Sequence, residues 1–311
     1  MDVMDTAMEN IRPLGTGLLL VDAGGSKTDW IQVCSGETVK FTAGGINPAV
    51  MDRRSILSAV LSAADMMGVR SSSVKDIRYY GAGIAGTEQL IVLDTILKNV
   101  FPGAVVSYGS DLQLAAEACL GTEPGIACIL GTGSNSGVYD GKKIVSNIRP
   151  GGYILGDEGG GSVLGKMLLA DYVKDRLPQG IRKAFSEAYP GLSYDSIVAN
   201  LYRGVNPSGY LASFAPFVLS YRGDSYADSL VERNLRNFIE RSVLPYGDDG
   251  QDIAVAGSIG MECRVEIEAL GREYGLHFTR FVKHPADALA ERMSGGICSM
   301  KHYEGSGQDD L

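Results

Sequence analysis

The chain has 311 residues, 45% apolar and 21% charged, which gives room for two ordinary domains with buried cores. Its formal net charge of −9 has no compensating basic patch, so nucleic acid is a poor partner. The five cysteines, Cys34, Cys119, Cys128, Cys263 and Cys298, include no C-x-x-C pair, and no apolar run nears the ~18 residues that span a bilayer, so a disulfide framework, a zinc site and a membrane partner drop out.

The acidic, polar first ten residues do not read as a signal peptide, and a cytoplasmic protein with reduced thiols is expected. In chain order, GLLLVD at 17–22 is an apolar run ending in Asp22, and IQVCSGE and TVKFTAG follow with a turn at Ser35–Gly36. These read as consecutive strands joined by tight hairpins. Residues 52–68 carry apolar positions at helical spacing and stop at Gly68. DIRYYGAGIAG is a strand running into a Gly-rich turn, TEQLIVLDTILKNVF an amphipathic helix, AVVSYGSD a short strand ending at Asp111, and LQLAAEACLG a helix.

The pattern then restarts. GIACILGTGSNSGVYDGKKIVSN is an apolar strand, a Gly/Ser/Thr turn and more strand, with a tight turn at Asp140–Gly141. RPGGYILGDEGGGS follows, then the helix VLGKMLLADYVKD and a largely helical stretch near 180–245. DIAVAGSIG is a strand into a Gly turn, MECRVEIEALGREYG a helix, HFTRFVKH a last strand and PADALAERM a last helix. Two α/β domains are expected, 14–120 and 121–311, the second with the helical insertion. No Pro/Ser linker separates them, so they are expected to pack closely around a cleft.

Glycine is the outlier, 41 of 311 residues, and it clusters beside Asp, Ser and Thr without a period. The first cluster is Asp22-Ala23-Gly24-Gly25-Ser26-Lys27-Thr28. Backbone N–H groups and a hydroxyl in such a loop can approach phosphate oxygens because nothing bulky blocks them. Asp22, at the strand end, can hold Mg²⁺ directly or through its waters. This is not a P-loop, since the loop leads into a strand, and alone it reads equally well as a Gly-rich hairpin turn. The second cluster, Leu130-Gly131-Thr132-Gly133-Ser134-Asn135, repeats the same strand context. Two such loops can clamp a polyphosphate from both sides. A third, Ala256-Gly257-Ser258-Ile259-Gly260, either lets a base or ribose lie against backbone or is a plain strand-to-helix turn.

Asp111 stands at a strand end before a helix. It can accept the proton of a sugar hydroxyl, and it can also N-cap a helix over 112–120. Gly44-Gly45-Ile46-Asn47-Pro48 and the stretch 149–161 are polar and turn-rich, as polyol-recognising loops are: Asn donates and accepts, and Asp accepts from two hydroxyls. His277, His284 and His302 show no metal spacing.

Together these motifs resemble the N-acetylglucosamine kinase family, the BadF/BadG/BcrA/BcrD-type ATPase branch of the superfamily of sugar kinases, heat-shock chaperones and actin. The resemblance runs from Gly17 to Met293. VDAGGSKTDW resembles the family's first phosphate loop, LGTGSNSG its second and AVAGSIG its adenosine segment; GGINP, YGSDLQLAA and RPGGYILGDEGGGSVLG resemble its sugar-side motifs, the last being the most specific. The resemblance implies an α/β fold of two RNase H-like (actin-like ATPase) domains around an interdomain cleft, with ATP and Mg²⁺ as cofactors and an amino sugar as partner. Asp111 would take the proton from the sugar O6. Asn47, Ser134, Asn135, Gly151, Gly152, Tyr153 and Asp157 would line the sugar pocket. Ser26 and Thr132 would contact phosphates, with Gly24, Gly25, Lys27, Thr28, Gly131 and Gly133 completing the loops and Asp22 organising Mg²⁺ through water. Gly257, Ser258 and Met261 would border the adenosine.

The first loop is as close to repressor–ORF–kinase sugar kinases, but the Cys-rich zinc motif and E-x-G-H motif of those proteins are missing. Iron–sulfur activators share the phosphate loops and need cysteines after the second, where this chain has none between 129 and 262. N-acetylglucosamine leads as acceptor. N-acetylmuramic acid, N-acetylmannosamine and glucosamine stay open, because sequence does not size the acyl and C3 pockets. The competing class is a regulatory ATPase, which Asp111, Asn47 and the GDEG motif together disfavour. A homodimer is a family-level expectation.

Overall fold

The computed structural model describes residues 17–25, 27–34, 37–68, 74–81, 87–247, 250–295 and 299–304. Three strands, β1 (Leu18–Ala23), β2 (Lys27–Cys34) and β3 (Glu37–Gly44), pair antiparallel in succession. Then come α1 (Arg53–Met67), β4 (Asp76–Gly81), α2 (Thr87–Val100), β5 (Val105–Gly109) and α3 (Asp111–Leu120). β4 lies parallel to β1, and β5 parallel to β4.

β1 is apolar because both its faces are covered. Leu19 and Val21 share a core with Trp30, Ile56, Val60, Leu93 and Leu97, contributed by β2, α1 and α2. Leu18 and Leu20 share another with Ile31, Val33, Leu114 and Ala118, contributed by β2 and α3. Burying each such side chain is worth about 2 kcal/mol, which fixes the strand and leaves Asp22 at its polar end. α1 follows its periodicity: Ile56, Val60, Ala63 and Met67 form one buried stripe, and Asp52 Oδ1 accepts the Ser55 N–H at 2.7 Å.

The chain then repeats this plan. β6 (Gly125–Leu130), β7 (Ser134–Tyr139) and β8 (Ile144–Ile148) form a second antiparallel meander. The helices α4 (Gly152–Leu155), α5 (Gly161–Tyr172), α6 (Gln179–Ala188), α7 (Tyr194–Arg203), α8 (Pro207–Ala212), α9 (Ala215–Ser220) and α10 (Ser225–Phe238) come next, and α10 runs into a π-helical turn at Ile239–Val243. β9 (Asp252–Ala256) joins parallel to β6; α11 (Ser258–Glu262) and α12 (Arg264–Glu273) follow, and β10 (His277–Val282) lies parallel to β9. Leu164, Leu168, Phe185, Phe217, Phe238 and Val255 belong to one core between this sheet and its helices.

α13 (Pro285–Met293) and β11 (Ser299–Glu304) return to the first sheet, where β11 pairs parallel with β3. The strand orders are β11-β3-β2-β1-β4-β5 and β10-β9-β6-β7-β8. Each holds a three-strand meander extended past its first strand by two parallel strands, the expected RNase H-like arrangement, and the first sheet adds β11 as a sixth strand on its other edge. By packing, the chain divides into one unit formed by residues up to Ala118 and from Pro285 onward, and a second unit, Cys119–His284. The expected second domain, 121–311, therefore loses its last segment to the first unit. Ala286, Leu289 and Ala290 bury with Leu18, Leu20 and Ile31, and Asp287 meets Lys40 at 2.9 Å. No helix among the described residues is long and apolar enough to cross a membrane.

Candidate active site

In the first unit the site grows from the end of β1. Asp22 is half-buried and pairs across strands with Asp29 of β2. Past it the chain turns tightly, the Gly24 N–H donating to Lys27 O at 2.9 Å, and the Ile46 N–H donates to Gly24 O at 3.1 Å. The second bond seats the Gly44–Pro48 stretch on the loop. Asn47 Oδ1 accepts the Ala49 N–H at 3.1 Å, so part of its side chain organises its own turn. Lys27 is exposed. Thr28 is fully buried, and strand alternation puts it on the Trp30 face rather than with Asp29. Ser26 lies outside the described residues.

Burial is the first cause that raises the Asp22 carboxyl to about 6, followed by the negative fields of Asp29 and Asp111; Lys40 and Lys27 oppose it. Asp22 and Asp111 are thus brought into electrostatic reach. α3 begins at Asp111, one residue earlier than the predicted 112–120, and its cap is Ser110: Ser110 Oγ accepts the Gln113 N–H at 3.1 Å. The capping role read for Asp111 therefore belongs to its neighbour. Asp111 Oδ1 accepts the next N–H, that of Leu112, at 2.8 Å; the Asp111 backbone N–H also acts on the carboxyl, and no side chain among the described residues donates to it. Burial pushes the Asp111 carboxyl up against the lowering effect of that N–H.

A buried ionic network that sequence reading missed backs this loop. Lys40 Nζ sits 2.9 Å from both Asp29 Oδ2 and Asp287 Oδ1, and Thr42 Oγ1 donates to Asp29 Oδ1 at 2.8 Å. Burial works to raise the Asp29 carboxyl, but the bonds from Lys40 and Thr42 prevail and hold it below the usual carboxylate range. The only signal was charge inside apolar strands.

In the second unit the loop after β6 is latched to α5. Gly161 N–H and Ser162 N–H donate to Gly131 O and Thr132 O, each at 2.8 Å, and Gly131 N–H donates to Gly133 O at 2.9 Å. The carbonyls are occupied, while the N–H groups of Thr132 and Gly133 meet no acceptor among the described residues. Such a set of unpaired N–H groups is suited to an anion. The Asp157 carboxylate lies against this loop: its Oδ1 accepts the Ser134 N–H at 3.4 Å, and a Cβ on Gly133 would stand 2.7 Å from its Oδ2. Only glycine permits that approach. Burial raises the Asp157 carboxyl, with the Ser134 N–H opposing.

Gly257, at φ 106°, lies over the same loop, where a Cβ would meet Leu130 O at 2.4 Å; Ser258 and Met261 are exposed beyond it. Asn135 Oδ1 accepts from Ser136 N and Asn147 Nδ2, at 2.9 and 2.8 Å, and so braces β7 against β8. Gly151 and Gly152 open the short α4. Tyr153 packs partly on the core, and its carbonyl accepts from Lys166 Nζ at 2.8 Å. Sequence reading also missed Asn234 of α10, 1% exposed, which binds the backbone of Gly159 and Gly160.

Among the described residues no group of three or more His, Cys, Asp or Glu forms a ready cation cage. Asp22, with carboxylate neighbours and hard oxygen donors, fits Mg²⁺ held by one or two carboxylates, waters and substrate phosphates.

Two sheets of this topology with Gly-rich hairpins at equivalent strand ends define an actin-like ATPase fold of the kind sugar kinases use. A solved Porphyromonas gingivalis structure, provisionally assigned as an N-acetylglucosamine kinase, is 33% identical, covers 89% of this chain and 99% of its own, and superposes with a TM-score of 0.84. The chain belongs to the N-acetylglucosamine kinase family. A Chromobacterium violaceum protein with the same provisional assignment shares the fold at 20% identity, TM-score 0.66, over 89% of this chain and 98% of its own. A ROK hexokinase from Thermus thermophilus shares it at 15% identity, TM-score 0.51, over 88% of this chain and 96% of its own. No protein-family model and no curated protein matches the sequence.

Proposed function

We propose that this protein is an ATP-dependent kinase that transfers the γ-phosphoryl group to the 6-hydroxyl of N-acetylglucosamine. The observation that carries the reading is Asp111: a half-buried carboxylate at the first turn of α3, bonded to backbone N–H groups and to no side chain among the described residues, with a raised proton affinity and within electrostatic reach of Asp22. A general base needs that combination.

Asp111 takes the proton from the sugar O6. The oxygen then forms its bond to the γ-phosphorus in line with the bond to the β-γ bridging oxygen, which breaks and leaves with ADP. The backbone at Gly24, Gly25, Lys27, Gly131, Thr132 and Gly133 cradles the phosphates. Gly257, Ser258 and Met261 border the adenosine. Asn47, Ser134, Asn135, Gly151, Gly152, Tyr153 and Asp157 orient the sugar. Asp22 would hold Mg²⁺ through water, and the ion would supply charge neutralisation on the phosphates. Positioning and electrostatics do most of the work in such a transfer.

The test is coupled ADP release with Mg²⁺-ATP and N-acetylglucosamine, N-acetylmuramic acid, N-acetylmannosamine, glucosamine or glucose. ADP is expected with N-acetylglucosamine and not without sugar. Asp111→Asn should lower kcat by about 10²–10⁴ while nucleotide binding persists. Near-wild-type turnover in that variant would remove Asp111 from the mechanism.

A further inference from the structure

Asn234 occupies a position in the buried stripe of α10 that otherwise holds Ala227, Leu230, Val231, Leu235 and Phe238. Both polar atoms of its amide bond to one loop. Oδ1 accepts the Gly159 N–H at 2.8 Å, and Nδ2 donates to Gly160 O at 3.2 Å. That loop is the middle link of a chain of contacts. Gly160 N–H donates to Asp157 O at 2.9 Å, and the next two N–H groups, of Gly161 and Ser162, hold Gly131 O and Thr132 O at 2.8 Å. Asp157 itself sits in the left-handed region at φ 60°. A non-glycine residue stays there only where its surroundings over-determine it.

We infer that Asn234 is a positioning residue. It fixes Gly159 and Gly160, and through them it sets both the Asp157 carboxylate and the carbonyls of the Gly131–Gly133 loop. The site calls for an amide. Adjacent donor and acceptor atoms match one N–H and one C=O from consecutive residues; a leucine matches neither, and an ionised carboxylate matches only the N–H. The part of the role that concerns substrate rests on the kinase reading. The ordering of the loop does not.

Two variants of the full chain test this, Asn234→Leu and Asn234→Asp. In Asn234→Leu, amide hydrogen exchange at Gly159–Ser162 should speed by about tenfold or more, with β1 and β2 unchanged. With Mg²⁺-ATP, its KM for N-acetylglucosamine should rise by about tenfold, a larger change than in kcat. Asn234→Asp keeps the shape, and its neutral carboxyl offers both a donor and an acceptor. Its kcat/KM relative to wild type should therefore be highest at low pH and fall as the carboxyl ionises. A purely structural role would reduce the amount of folded protein without that pH slope or a KM shift. Unchanged exchange at Gly159–Ser162 in Asn234→Leu, or a flat pH ratio in Asn234→Asp, overturns the inference. If wild type releases ADP with no sugar, the kinase reading fails, and the exchange comparison still decides Asn234.

Discussion

The two Gly-rich hairpins share a strand context and differ in what holds them. Behind the β1–β2 turn stands charge: Lys40 between Asp29 and Asp287, with Thr42 completing the set. Behind the β6–β7 turn the supports are mostly neutral: amides of α5 on the loop carbonyls and the Asn234 amide on the loop between, with the Asp157 carboxylate as the one charged group the loop meets directly among the described residues. A buried charge network is severe when broken and responds to pH, whereas neutral hydrogen bonds cost less to lose and respond to geometry. The first hairpin also presents Asp22, so a compensated charge field at its back is the support that suits a carboxylate site.

The largest expected effect breaks the ionic side. Lys40→Met takes from Asp29 and Asp287 the cation they share, leaving Asp29 only the exposed Lys27 at 3.4 Å, and removal of one partner from a buried pair costs about 3–5 kcal/mol. Urea unfolding should show that loss. The triple variant Asp29→Asn/Lys40→Met/Asp287→Asn should recover most of it. If Lys40→Met unfolds at the wild-type midpoint, the network is not what supports the first hairpin.

A smaller effect sharpens the neutral side. Gly133→Ala puts a methyl group 2.7 Å from Asp157 Oδ2, so loop or carboxylate must shift, at a cost of about 1–3 kcal/mol. The same urea series should show it with no dependence on salt, in contrast to variants of the first hairpin. A salt-sensitive loss would mean that the Asp157 charge, and not crowding, governs this turn.

Both hairpins were legible in the sequence because a strand covered on both faces reads as an unbroken apolar run, and small residues directly after such a run mark a turn whose backbone stays open to a ligand. Asp22 was legible for the same reason, as a carboxylate at the end of such a run, whereas Asp111 was legible as a carboxylate between a short edge strand and a helix. The supports were not. Lys40 and Asp29 are single charges in strands and look like solvent-facing alternation, since nothing local shows that Asp287 lies across from them. Asn234 breaks an apolar stripe by one residue, and pattern alone reads a polar residue there as the edge of the face. PADALAERM shows a helix with an apolar side but not which sheet that side covers, so the domain division near the C-terminus went astray. Ser110 and Asp111 are both good caps, and only the Gln113 N–H decides between them.

The smallest expected effect separates the hairpins by pH. Burial, with Asp29 and Asp111 nearby, raises the folded Asp22 carboxyl to about 6, against 3.8 for the ordinary group. Between those values the folded chain keeps a proton that the unfolded chain has released. The contribution of Asp22 to stability is therefore fully present below the ordinary value and is lost as pH rises through about 6. Asp29 runs the other way: its folded value is depressed, so its contribution holds at neutral pH and is lost only as pH falls through that lower value. Asp111 and Asp157 are also raised and add slopes of the same sign as Asp22, so the difference between variants is the quantity to read. The Tm of the ligand-free wild type should decline from about pH 5 to about pH 7, and Asp22→Asn should decline less over the same interval. Equal slopes in the two proteins would mean that Asp22 gives up its proton in the folded state as readily as in the unfolded one. The raised proton affinity of Asp22, caused first by burial and then by Asp29 and Asp111, would then have to be abandoned.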